Sequence, residues 1–135
     1  MTTTKLLCII MFSALLSPLA SAANTLEKCD KKQTSQSTIS DYSRCLDGVK
    51  EAVDRELQTW VNNQLFNLEE LALSTGRTSA LNMFKRSQSN FITFRENNCR
   101  WQYLAITPSV DASSTFQKCY ILVSKSRIKE LSLIK

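Results

Sequence analysis

The sequence predicts an all-α fold: a small three-helix up-down-up bundle with an N-terminal extension, stapled by two disulfides. Three observations predict it. Apolar residues recur at steps of three and four over three long segments, four cysteines are distributed among and just before those segments, and an export-type leader precedes them all.

The leader is read first. Lys5 supplies a short positive region, and Leu6 to Leu19 is apolar apart from Ser13, Ser17 and Pro18. Ala20-Ser21-Ala22 has the small residues of a cleavage site, so residues 1–22 are expected to be a signal peptide and Ala23 the mature start. The apolar run is shorter than the roughly 20 residues of a spanning helix, so no transmembrane anchor is expected after cleavage. Cys8 would leave with the leader. Cys29 follows Leu26-Glu27-Lys28, which lacks the small residues expected before a lipidated cysteine.

The remaining 113 of 135 residues make one domain by length. A chain of this size buries a real core, so disulfides supplement packing. Residues 23–40 are polar, rich in Thr, Ser, Lys and Gln, and are expected to form a loosely structured arm with room for a short helix around Cys29. Residues 41–135 are expected to be the helical domain, with the arm tethered to it through Cys29.

From Asp41 to Ser74, Leu46, Val49, Val53, Leu57, Trp60, Gln64, Leu68 and Leu71 form one stripe, widened by Val61, Leu65 and Ala72. This is one long amphipathic helix with Ser40-Asp41 as its N-cap. Glu51, Arg55, Gln58, Asn62 and Glu69 take the outer face. Thr75-Gly76 stops it, because glycine readily takes the left-handed conformation that closes a helix. Thr78 or Ser79 caps the second helix, whose stripe is Leu81, Phe84, Gln88, Phe91, Arg95 and Cys99, flanked by Ile92 and Trp101. The short connection makes these two helices antiparallel neighbours. Leu104 to Ser114, with Thr107-Pro108-Ser109, breaks the pattern. Ser113 or Ser114 caps the third helix, with a stripe of Phe116, Cys119 or Tyr120, Val123, Arg127, Leu131 and Ile134.

Such a topology gathers Cys45, Cys99 and Cys119 at one end, and Cys29 can reach them. Three pairings are open. Cys29–Cys45 with Cys99–Cys119 closes the shortest loops and is preferred. Gln88, Arg95 and Arg127 are polar residues on apolar stripes and are costly to bury without partners. Asp54, Glu56 and Glu130 are the expected carboxylate partners, in a network that fixes helix register.

Composition argues against several function classes. The chain has no histidine, no CxxC pair and no G-x-S-x-G elbow, so neither a metal site, a cofactor nor an enzyme is expected. Glu69-Glu70 is the only adjacent acidic pair, and sequential helix positions point apart. After loss of Lys5, 16 Lys and Arg face 12 Asp and Glu, a net charge of +4. The basic residues are dispersed, so no nucleic-acid footprint is formed. What remains is a binding role.

The polar stripe residues also carry a family likeness. Gln88, Phe91, Arg95 and Cys99 stand in a Q-x-x-W/F-x-x-x-R-x-x-x-C pattern that resembles the core of the LprI-type lysozyme-inhibitor family. Cys119, Arg127 and Leu131 are similar to its closing C-x7-R-x3-L. Cys45 followed by Asp54, Glu56 and Leu57 looks like its C…D-x-E-L helix. The likeness spans most of 29–131. Val61 stands where an aromatic is common, Gln58 where Asn is common, and Ile106-Thr107-Pro108-Ser109 where a Gly/Ser-rich turn is usual. The resemblance implies a small exported helical domain and inhibition of a lysozyme-like muramidase.

Such an inhibitor fills a cleft holding two carboxylates and offers donors to them. The Leu104–Ser114 loop is the candidate partner-binding segment, through Thr107, Pro108 and Ser109, with Arg100 and Lys118 as adjoining cations. The alternative is a non-inhibitory periplasmic scaffold, adaptor or immunity-type binder of another toxin. Either protein is expected in the periplasm or secreted, with an envelope protein as partner.

Overall fold

The computed structural model describes residues 25–33 and 38–134. The expected signal peptide, its cleavage site and the mature start lie outside them. Among the described residues four helices run in order: α1 (Leu26–Gln33), α2 (Ile39–Thr75), α3 (Ser79–Ile106) and α4 (Ala112–Ser132). The expected count of three is therefore one short, because the N-terminal arm carries an eight-residue helix of its own. So short a helix is marginal alone. It persists here because Cys29, fully buried, is bonded to Cys45, and because Tyr42 and Lys118 both donate to Asp30, at 2.6 and 3.1 Å.

α2 starts earlier than Ser40-Asp41 suggested. Thr38 is the N-cap, its hydroxyl accepting from the Asp41 N–H at 3.2 Å, while the Asp41 carboxylate accepts from the Thr38 N–H at 3.4 Å. Asp41 is thus the third residue of a capping box, with the cap three positions upstream. At the far end Gly76, with φ of 70°, closes the helix in the left-handed conformation as expected, its N–H bonded to Ala72 O at 2.9 Å. α3 starts after Thr78 without a side-chain cap. α4 starts after Asp111, upstream of the expected Ser113 or Ser114 cap; Ser114 instead donates to the Asp111 carbonyl. The α3–α4 connection is consequently only residues 107–111, half the length expected of the Leu104–Ser114 loop.

α2, α3 and α4 run up, down and up. Ser43 and Asp47 meet Gln117 near the starts of α2 and α4. On α3 and α4, Gln102 meets Cys119, Arg95 meets Ser124, and Gln88 meets Arg127, which is an antiparallel register. The core comprises Tyr42, Leu46, Val49, Val53, Leu57 and Val61 of α2 with Ile121, Ile128 and Leu131 of α4, together with the Cys29–Cys45 bridge. α3 contributes mainly through half-buried Phe84 and Phe91.

This core corrects the stripe expected for α4. Phe116, Tyr120 and Val123 are only half-buried and Ile134 is exposed, while Ile121, Ser124 and Ile128 are buried. The reason is that α4 packs against both α2 and α3. A helix with two partners buries two adjoining faces, and a single stripe cannot describe it. On α2, Val61 is buried whereas Trp60 is half-buried and Leu71 is exposed.

Length explains where burial stops. α2 has 37 residues, α3 has 28 and α4 has 21, or about 55, 42 and 31 Å at helical rise. α2 and α4 start together, so α4 ends while α2 still has three turns to run. Gln64 is the last buried residue of α2. Beyond it, α2 and the start of α3 continue as a two-helix hairpin.

Candidate functional site

Two groups of sequence-predicted residues are resolved into separate places. The family-motif residues Asp54, Gln88, Phe91, Arg95 and Arg127 come together along the seam where α2, α3 and α4 meet. The loop residues Thr107, Pro108 and Ser109 stand at the disulfide-bearing end.

In the seam, Arg95 is buried near mid-height. It donates to the Ser124 hydroxyl at 2.9 Å and lies 3.6 Å from the Asp54 carboxylate. Its guanidinium stacks 3.8 Å from the centre of the Tyr120 ring, with Phe91 on another side at 5.5 Å. Cation–π contact of this kind partly replaces lost hydration. Its Nε is buried without a hydrogen-bond partner. Asp54 accepts two hydrogen bonds, from Tyr120 Oη at 3.0 Å and Lys50 Nζ at 2.9 Å, beside its longer ion pair with Arg95. Lys50 in turn sits 4.3 Å from the Tyr120 ring centre.

The pKa directions follow from this packing. Burial raises the Tyr120 hydroxyl; the Arg95 charge opposes the rise, and the bond to Asp54 adds to it. Tyr120 is therefore a neutral donor at physiological pH. Burial works against the Lys50 ammonium, but the Asp54 hydrogen bond and nearby charges outweigh it and the net shift is upward. Two cations, Lys50 and Arg95, thus share the single Asp54 carboxylate within the seam.

One turn higher on α4, Arg127 is also buried. It donates to Glu130 at 2.7 Å, to Gln88 at 3.4 Å and to Ser87 at 3.3 Å. Its guanidinium lies 5.6 Å from the centre of the Phe91 ring. Phe91 is thus near two arginines. Leu57 and Leu131 are buried core residues. Glu56, expected among the carboxylate partners, is exposed on α2 and pairs with neither arginine among the described residues. Glu56 and Asp54 are two positions apart and so lie on opposite edges of the buried α2 stripe, and it is Asp54 whose edge meets Arg95.

Three seam members were not singled out by sequence. Lys50 and Ser124 carry no signal beyond their spacing, and Tyr120 appeared only as an alternative to Cys119. The pairing of Lys50 with Asp54 at i, i+4 is the one clue available in advance.

At the disulfide end, Cys29–Cys45 and Cys99–Cys119 are the two bridges, with Cα separations of 5.7 and 5.4 Å. Thr107, Pro108, Ser109 and Val110 are exposed at the α3–α4 tip, and the Thr107–Pro108 peptide is cis. Arg100 is exposed beside it and pairs with Glu96. With Tyr103, Ser113 and Phe116 it lines an open depression of about 200 Å³. Lys118 is not grouped with the loop. It is turned to α1, where it pairs with Asp30 at 3.1 Å.

Among the described residues no group of three His, Cys, Asp or Glu could hold a metal ion, and no helix is long and apolar enough to cross a membrane. No curated protein and no solved structure matches the chain. The family described as "Lysozyme inhibitor LprI" matches residues 29–131, from Cys29 to Leu131, so the chain belongs to the LprI lysozyme-inhibitor family.

Proposed function

We propose that this protein is an exported envelope binder that blocks a lysozyme-like muramidase. Family membership across 29–131 carries the reading. Two features support it. The two arginines of the motif, Arg95 and Arg127, are tied up inside the bundle, which leaves the surface to make the contact. The α3–α4 tip presents the Ser109 hydroxyl and exposed Val110, with the Thr107 hydroxyl donating to the Tyr103 carbonyl, beyond the Cys99–Cys119 bridge that anchors both of its helices.

The proposed contact is insertion of the tip into the enzyme's substrate cleft. Muramidases of the usual kind hold two carboxylates there. The Ser109 hydroxyl and the Arg100 guanidinium suit such acids, since guanidinium binds carboxylates in two-point fashion. The chain's net charge of +5, or +4 after loss of Lys5, gives no long-range attraction to a strongly cationic enzyme. An acidic or weakly charged muramidase is the favoured partner.

The test is inhibition of a panel of acidic and basic muramidases by the oxidised protein. Inhibition is expected to be strongest with the acidic members. It should fall at least about tenfold, or ~1.4 kcal/mol, when Ser109 and Val110 are both replaced by Asp, with thermal unfolding unchanged. Absence of inhibition across the panel by folded protein would overturn the reading in favour of a non-inhibitory scaffold or adaptor.

A further inference from the structure

The outer face of α3 carries a second surface, separate from the tip. Asn90, Thr93, Phe94, Asn97, Asn98 and Trp101 line an open groove of about 450 Å³. Phe94 and Trp101 are each more than half exposed, at 57% and 59%. Large aromatics left this open on a helix need an explanation, because the same helix packs Phe91, three residues away, half-buried against the core.

The lining has a distinct chemistry. It offers two aromatic faces, three primary amides and one hydroxyl, and contains no charged side chain. On a chain of net charge +5 this is a neutral strip. A polyanion would gain nothing from it, and an acidic peptide would find no cation within it. Each amide supplies both a donor and an acceptor. Aromatic planes flanked by amides suit a ligand with apolar C–H faces and a rim of hydroxyl and acetamido groups, which describes a neutral amino sugar.

Spacing and orientation support the same ligand. Phe94 and Trp101 are seven residues apart, so they lie on one face about 10 Å apart along the axis. That is close to one disaccharide step of a β-1,4-linked glycan. The indole is also fixed in direction. Trp101 Nε1 donates to Asn98 Oδ1 at 3.3 Å, and Asn98 Nδ2 reaches Cys119 Sγ at 3.7 Å. The exposed ring is thereby tied through Asn98 to the Cys99–Cys119 bridge, and a stacking platform held in place loses less entropy on binding.

We infer that this groove binds a neutral β-1,4-linked, N-acetylated amino-sugar chain, with Phe94 and Trp101 as stacking platforms and Asn90 and Asn97 as amide contacts. The site uses none of the tip residues and does not depend on inhibition.

The probe is the hexamer of N-acetylglucosamine, titrated into the oxidised protein and followed by heteronuclear NMR, with no enzyme present. Saturable shifts are expected at the Trp101 indole and at the Asn90 and Asn97 side-chain amides. Trp101→Ala and Phe94→Ala should each weaken binding about tenfold without changing the melting temperature. Trp101→Phe should retain most of the affinity, and Arg100→Ala all of it. Three results would overturn the inference: no saturable shift, shifts that Trp101→Ala leaves in place, or concentration-dependent self-association that Trp101→Ala abolishes. The last would mean that a second copy covers this face. Because no muramidase is involved, failure here leaves the inhibitor reading intact, and failure of inhibition leaves this one intact.

Discussion

At the end where α2 and α4 begin, Cys29, Leu46 and Cys99 are completely buried, and two disulfides join four helices. At the opposite end Phe66, Leu71, Leu73 and Met83 are exposed, Leu73 to 87%. Both ends are made of amphipathic helix with similar apolar spacing. They differ in the number of partners: α2 has α1 and α4 beside it at one end and only α3 at the other. Two helices cannot enclose an apolar stripe, and a third is required before side chains become inaccessible. The comparison shows that burial here is set by the length of the shortest helix and not by the pattern of the longest.

The largest expected effect uses this contrast directly. Leu131→Ala, at a completely buried site, should cost about 3 kcal/mol in urea unfolding, whereas Leu73→Ala should stay within about 0.5 kcal/mol. Equal losses would mean that the hairpin tip is covered in solution, and the contrast between the ends would collapse.

The seam lies between the two ends and gives an intermediate effect. Arg95→Ala removes the Asp54 and Ser124 contacts and the Tyr120 stack together. The Asp54 side chain is 36% exposed, so water can recover part of its loss. The expected cost is about 2 kcal/mol, below that of breaking a fully buried pair. Calorimetric or urea unfolding checks it, and a change under 0.5 kcal/mol would show that the seam does not hold the helices in register.

The smallest effect is a pH response confined to the stapled end. The Tyr42 hydroxyl holds the Asp30 carboxyl below its ordinary range, against burial and with help from Lys118. A carboxyl depressed in the folded state stabilises above its unfolded pKa of about 4, and that contribution is lost as pH falls through the lower folded value. Thr38 lowers Asp41 in the same direction, so the α2 cap should loosen in the same window. Hydrogen exchange should therefore quicken in α1 and the first turn of α2 below about pH 4, while α3 near Met83 is unaffected. Asp30→Asn should remove the α1 part of this response. Acid sensitivity spread evenly over both ends would refute it.

Much of the bundle was legible from spacing alone. The antiparallel α2–α3 turn at Gly76, the inward positions of Arg95 and Arg127 and the gathering of cysteines at one end all follow from helical period and short connections. What was not legible depended on neighbours. Ile121, Ser124 and Ile128 were missed because α4 faces two partners, and a period read from one chain segment reports one face. Helix α1 was underestimated because its stability comes from Cys45, Tyr42 and Lys118, which are distant in sequence. Lys118 was assigned to the loop by sequence proximity, whereas its charge is drawn to Asp30, 88 positions away. Leu71 illustrates the converse: its spacing is correct for burial, but the helix that would cover it has ended, whereas Leu73, two positions on, faces the other side of α2.

Each disulfide joins cysteines that are neighbours in chain order, Cys29 to Cys45 and Cys99 to Cys119, with separations of 16 and 20 residues. A chain that emerges N-terminus first from a pore presents its thiols in that same order. With the expected leader and its Cys8 removed, Cys45 would arrive while Cys29 is the one thiol before it, and the pair would close before Cys99 appears. First-come oxidation of such a chain would yield this connectivity, and refolding of the reduced protein with an oxidant and no isomerase is the measurement that checks it.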